Sequence, residues 1–193
     1  MKRKKALLGL LAIPLALLLS GCFLLQGFRI NANVIKAGGK ATKAVFEIRP
    51  ARSGTNDTAH QFFLIGVDDT DLRAGKARWG TNGTFGGPYP LTPAPGLDTV
   101  IGDQCTSNGF NLADATGLTW KGYRTPSAVN DRDRSKKDVI VQIGLKALAS
   151  ATPGDYGVVG VTGAWVDDGD NNPESTDAYL CTGVSQVSVN VKA

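Results

Sequence analysis

Histidine is almost missing from this chain: His60 is the only one in 193 residues. With it goes the side chain that most often serves as general base near neutral pH. No serine stands in a Gly-x-Ser-x-Gly turn, so the exposed nucleophile of that type is missing too. Hydrolysis by two carboxylates needs no histidine, but no pair of carboxylates is singled out by its pattern. His60 borders an apolar run and is expected to be structural or at the surface. An enzyme, such as an envelope hydrolase, is therefore the least favoured reading, and the chain is expected to be non-catalytic.

A surplus of one charge is also missing once position is considered. The formal charge of +4 reflects 21 Lys and Arg against 17 Asp and Glu, and Lys2, Arg3, Lys4 and Lys5 stand in the first five residues. Without those four, 17 cations face 17 anions. That balance speaks against a nucleic-acid footprint and against a polybasic membrane patch. Apolar repeats at helical spacing are lacking as well. Short alternating runs separated by Gly, Pro, Asn and Asp take their place, which predicts strands.

What the chain does contain starts at its first residue. After the cationic cluster comes an apolar run from Ala6 to Leu19, too short for a standard spanning helix, and then Leu19-Ser20-Gly21-Cys22. This arrangement resembles a bacterial lipoprotein precursor with its lipobox. The resemblance implies that residues 1–21 are a signal peptide, cut before Cys22, and that Cys22 carries acyl chains such as palmitate. The mature chain, 22–193, would then be held at a cell-envelope membrane, facing periplasm or exterior. Phe23, Leu24 and Leu25 follow the cysteine directly, with no Ser, Gly or Pro tether, so the domain is expected close to the bilayer. With Cys22 spent on lipid, Cys105 and Cys181 remain. In an oxidising compartment such a pair reads as a disulfide, the alternative being two buried thiols.

Residues 22–193 are sized for one domain. Phe28, Ile30, Ala32 and Val34 alternate with Arg29, Asn31 and Asn33 as a half-buried first strand. The run 61–67 (QFFLIGV) is apolar on both faces, as a strand covered on both sides would be. Further strands are expected around 44–48, 139–145 and 158–166, with Val187, Val189 and Val191 in the last. Residues 74–118, rich in Gly and Pro, are expected to form a long irregular loop.

Pro153-Gly154-Asp155-Tyr156, followed by Val158 and Val161, resembles the corner that enters the penultimate strand of bacterial immunoglobulin-like domains. The resemblance implies an antiparallel β-sandwich in which the tyrosine hydroxyl bonds back to the backbone across the corner. Asp177-Ala178-Tyr179-Leu180-Cys181 competes for the same role, and Cys105, Trp120 and Cys181 follow a Cys-Trp-Cys order. The first corner is preferred, because only one strand's length of chain follows Cys181.

Two segments carry candidate binding chemistry. Asp168, Asp170 and Asn172 have the spacing of an EF-hand start, with Asp177 closing the acidic stretch. Pro173 stands where the turn glycine belongs and Tyr179 where the bidentate glutamate belongs, so the loop is no EF-hand. It remains a candidate structural calcium loop or a solvated turn; no other cofactor is expected. Trp79, Phe85 and Tyr89 fall in the long loop, where rings could stack on sugars or anchor a protein, or cap the core. The expected function is a non-catalytic binding, adhesion or assembly module with an envelope protein partner. The alternative is a carbohydrate-binding module for envelope glycan.

Overall fold

Alternating apolar residues bounded by turn formers become strands throughout the described chain. The structure is a computed structural model describing residues 24–49, 59–81, 92–93, 117–124, 139–166 and 178–193. Its strands are β1 (Leu24–Ile30), β2 (Val34–Lys36), β3 (Thr42–Arg49), β4 (Ala59–Val67), β5 (Leu72–Thr81), β6 (Thr92–Pro93), β7 (Thr119–Arg124), β8 (Val139–Ala147), β9 (Gly154–Val166) and β10 (Ala178–Lys192). They form a four-stranded sheet, β1-β3-β8-β5, and a six-stranded sheet, β2-β10-β9-β4-β7-β6. Neighbours are antiparallel except β2, which runs parallel to the end of β10.

The core lies between the sheets. Phe28, Phe46 and Phe63 meet there, with ring centroids 4.7 Å apart for the first pair and 5.9 Å, edge-on, for the second. Burying each such ring contributes about 1.5–3 kcal/mol. Gly160 on β9 makes room for them, since a Cβ at this position would lie 2.7 Å from the Phe28 ring and 2.8 Å from Phe46.

β4 is the two-faced strand its sequence predicts. It lies between β9 and β7, and Phe62, Phe63, Leu64 and Ile65 are all fully buried. Phe63 and Ile65 belong to the inter-sheet core, whereas Phe62 and Leu64 occupy the opposite face. On that face the Trp120 ring covers Gly66, coming within 3.0 Å of where a Cβ would stand.

The expected first strand is in fact two strands in different sheets. At residues 31 and 32 the backbone still bonds to β3: the Asn31 amide donates to Lys43 O (2.9 Å) and the Ala32 amide to Thr42 Oγ1 (3.0 Å). At residue 33 it has crossed over, and the Asn190 amide donates to Asn33 O (2.7 Å). The crossing flips the inward register, so Ile35 is buried and Val34 is 47% exposed. The irregular loop expected over 74–118 also needs correction, because Ala74 to Thr81 belong to β5. Its alternation is hidden in the sequence by small residues and by a bulge between Ala74 and Ala77, which puts both alanines in the core.

The sandwich has two unlike poles. The chain enters β1 at Leu24, opposite Arg49 at the end of β3. The connections 50–58, 82–91, 125–138 and 167–177 all leave from strand ends at that same pole. The other pole carries the tight turns 37–41, 68–71 and 148–153, and there too the chain enters β7, at Thr119 in register with Val67. Two of these are tied together: the Leu148 amide donates to Asp71 O and the Thr152 amide to Asp71 Oδ1, both at 2.8 Å.

Candidate functional site

At the tight-turn pole the Tyr156 hydroxyl donates to the Thr152 carbonyl at 2.6 Å. This is the corner expected from Pro153-Gly154-Asp155-Tyr156, and β9, which it enters, is the penultimate strand. Thr70 Oγ1 donates to Asp68 Oδ1 at 2.6 Å beside it. Burial raises the Tyr156 pKa above 10.0, and the nearby carboxylates of Asp71 and Asp68 add to the rise. Among the described residues no group of three or more His, Cys, Asp and Glu could hold a metal ion.

The other expected site residues are scattered or fall outside the described chain. Cys22, Cys105, Phe85, Tyr89, Asp168, Asp170, Asn172 and Asp177 lie outside it. Cys181 is buried on β10, in register with Gly163 of β9. His60 sits on β4 opposite Trp165. Trp79 belongs to no loop: it is a residue of β5, in register with Val141 of β8. The three aromatics therefore do not share one loop as the sequence suggests.

A feature that overall composition conceals is the separation of charge between faces. On the four-stranded sheet, core residues alternate with outward ones, and Arg29, Lys43, Arg73, Arg78 and Lys146 are all outward and exposed. Pairing brings Arg73 beside Lys146 and Arg78 beside Gln142. Glu47 is the one carboxylate among the described residues of this face, 3.1 Å from Arg29. Val45, in register between Arg29 and Gln142, is fully buried at its centre. The remaining described carboxylates, Asp68, Asp69, Asp71 and Asp155, gather at the tight-turn pole. The outer face of the six-stranded sheet carries Phe62, Leu64, Val159 and Val161 instead, all buried. Near-neutral composition thus hides a cationic face, and the signal lay in alternate positions of four strands whose neighbours the sequence does not name.

No family model matches the sequence, and no curated protein matches it. Solved structures do resemble it. The N-terminal domain of a Streptococcus gordonii adhesin is similar over 89% of this chain, with a TM-score of 0.50 and 9% identity. A cohesin module from a Clostridium perfringens family 33 glycoside hydrolase is similar over 86% of this chain and 93% of its own, with a TM-score of 0.47 and 11% identity. The Bacillus cereus major pilin subunit BcpA is similar over 88% of this chain, with a TM-score of 0.42 and 10% identity. The chain spans 32% of the adhesin structure and 39% of the pilin. At 9% identity the likeness to the adhesin domain is one of fold, and the two packed sheets and the tyrosine corner described above make this chain an immunoglobulin-like β-sandwich.

Proposed function

We propose that this chain is a cell-envelope lipoprotein: a single immunoglobulin-like sandwich, anchored by acylated Cys22, that acts as a non-catalytic binding, adhesion or assembly module. The observation that carries the reading is the junction between leader and fold. Only Phe23 separates the lipobox cysteine from β1, which is hydrogen-bonded into the four-stranded sheet from Leu24 onward. A cysteine so placed holds the sandwich against a bilayer with almost no tether, at most about 7 Å of extended chain. The adhesin likeness favours a protein partner over a substrate. A Cys105–Cys181 bridge belongs to the same reading, supported by Cys181 being buried and not a free thiol.

The test has two parts. Cells fed an alkyne fatty acid should label the natural chain and leave Cys22→Ser unlabelled; label on Cys22→Ser overturns the anchor. Anchored protein should also retain, at saturation, one defined envelope protein. Retention by purified envelope glycan alone would replace this reading with a carbohydrate-binding module.

A further inference from the structure

We propose that the outer face of the four-stranded sheet lies against a membrane surface rich in anionic lipid headgroups. Arg29, Lys43, Arg73, Arg78 and Lys146 are exposed there, and Glu47 is the one carboxylate among the described residues of that face. Near-neutral net charge does not cancel this face. Screening limits charge interactions to about 8 Å at physiological salt, while packed sheets stand about 10 Å apart. A surface touching one face therefore senses that face's charges and little of those behind it. The described carboxylates other than Glu47 lie at the tight-turn pole, away from the centre of the sheet.

A bilayer fits this face better than a small anion does. The cations spread over all four strands: Arg29 is on β1, Lys43 on β3, Lys146 on β8, and Arg73 and Arg78 on β5. Spread of that kind matches a plane of phosphates. The inference rests on the anchored reading in one respect: β1 is an edge strand of this sheet, so chains on Cys22 would bring the same face to the same membrane. Lipid and cationic patch would then act together, as paired signals do in stable anchoring.

The test uses the mature chain from residue 22 with Cys22→Ser, so that neither acyl chains nor the leader cations contribute; it retains every strand of the sandwich. Vesicles of phosphatidylcholine alone, and of phosphatidylcholine with phosphatidylglycerol, are sedimented with it. Binding should require phosphatidylglycerol and fall with added salt. Replacing Arg73, Arg78 and Lys146 together by Gln should weaken it about a hundred-fold, at roughly five-fold per cation. Replacing Lys36 and Lys192, exposed on the other sheet, by Gln should change nothing. Equal loss in both variants, no loss in either, equal binding to phosphatidylcholine alone, or displacement of the vesicles by polyglutamate at matched charge each overturns the proposal. If Cys22 takes no label while this binding survives, the anchor fails and the lipid face stands; a labelled Cys22 with an indifferent face variant gives the reverse.

Discussion

Tyr123 on β7 reaches across the sandwich and donates its hydroxyl to the Gly75 carbonyl on β5 at 2.6 Å. The bond joins the two sheets at the β5 bulge, where Lys121 Nζ also donates to Ala74 O at 3.3 Å. It gives the bulge's turned-out carbonyls partners that a regular strand edge would lack. Tyr123→Phe keeps the buried ring and deletes only this donor. It should cost about 1 kcal/mol, read as a lower urea midpoint with an unchanged slope.

The Tyr156 corner should show itself in alkali. Its folded pKa lies above the unfolded value of 10.0, so the folded state holds this proton more tightly. The sign follows: the contribution is complete below pH 10.0 and is lost as pH rises through the higher folded value. Stability of the natural chain should fall more steeply above that pH than stability of Tyr156→Phe. Parallel curves for the two proteins, followed by urea unfolding at a series of alkaline pH values, would remove Tyr156 from this role.

Gly160 should tolerate no side chain. A methyl at this position meets the Phe28 and Phe46 rings at 2.7–2.8 Å, inside the inter-sheet core. Gly160→Ala should therefore destabilise by about 1–3 kcal/mol, as overpacked cores do. Gly154→Ala is the control, since a Cβ there meets nothing within 4 Å. Thermal melts of the two variants should separate clearly.

The proposed Cys105–Cys181 bridge closes a long loop, worth about 4 kcal/mol on the chain-entropy account. Purified mature protein should take up no alkylating reagent at these two thiols until a reductant is added, by intact mass. Two alkyl groups on the unreduced protein would exclude the bridge.

The sequence and the structure agree where one strand carries its own signal. The run 61–67 shows both faces of β4 because apolar residues fill both alternate sets of positions after Gln61, and the corner at Tyr156 is legible because its turn residues and its hydroxyl are local. Agreement ends where a feature depends on neighbours. The alternation from Phe28 to Val34 looks continuous, yet the chain changes sheets at residues 31–33, which only the partners of Asn31 and Asn33 reveal. β5 escapes notice because alanines fill its core positions and a bulge breaks its period. The cationic face escapes it because summed charge carries no direction: Arg73 and Lys146 are 73 positions apart in the chain and side by side in the sheet.

The entry of the chain at one pole also decides how the sandwich would bear tension. β1 runs from that pole beside β3, and its backbone bonds lie across the strand direction. A pull between the start of β1 and the tight-turn pole runs along the strands, so it loads the rungs from Leu24 to Ile30 in shear, all at once. A sideways pull at Leu24 would instead peel the same rungs one by one. Held by its first strand and drawn from the far turns, the domain is loaded in the direction in which a β-ladder yields last.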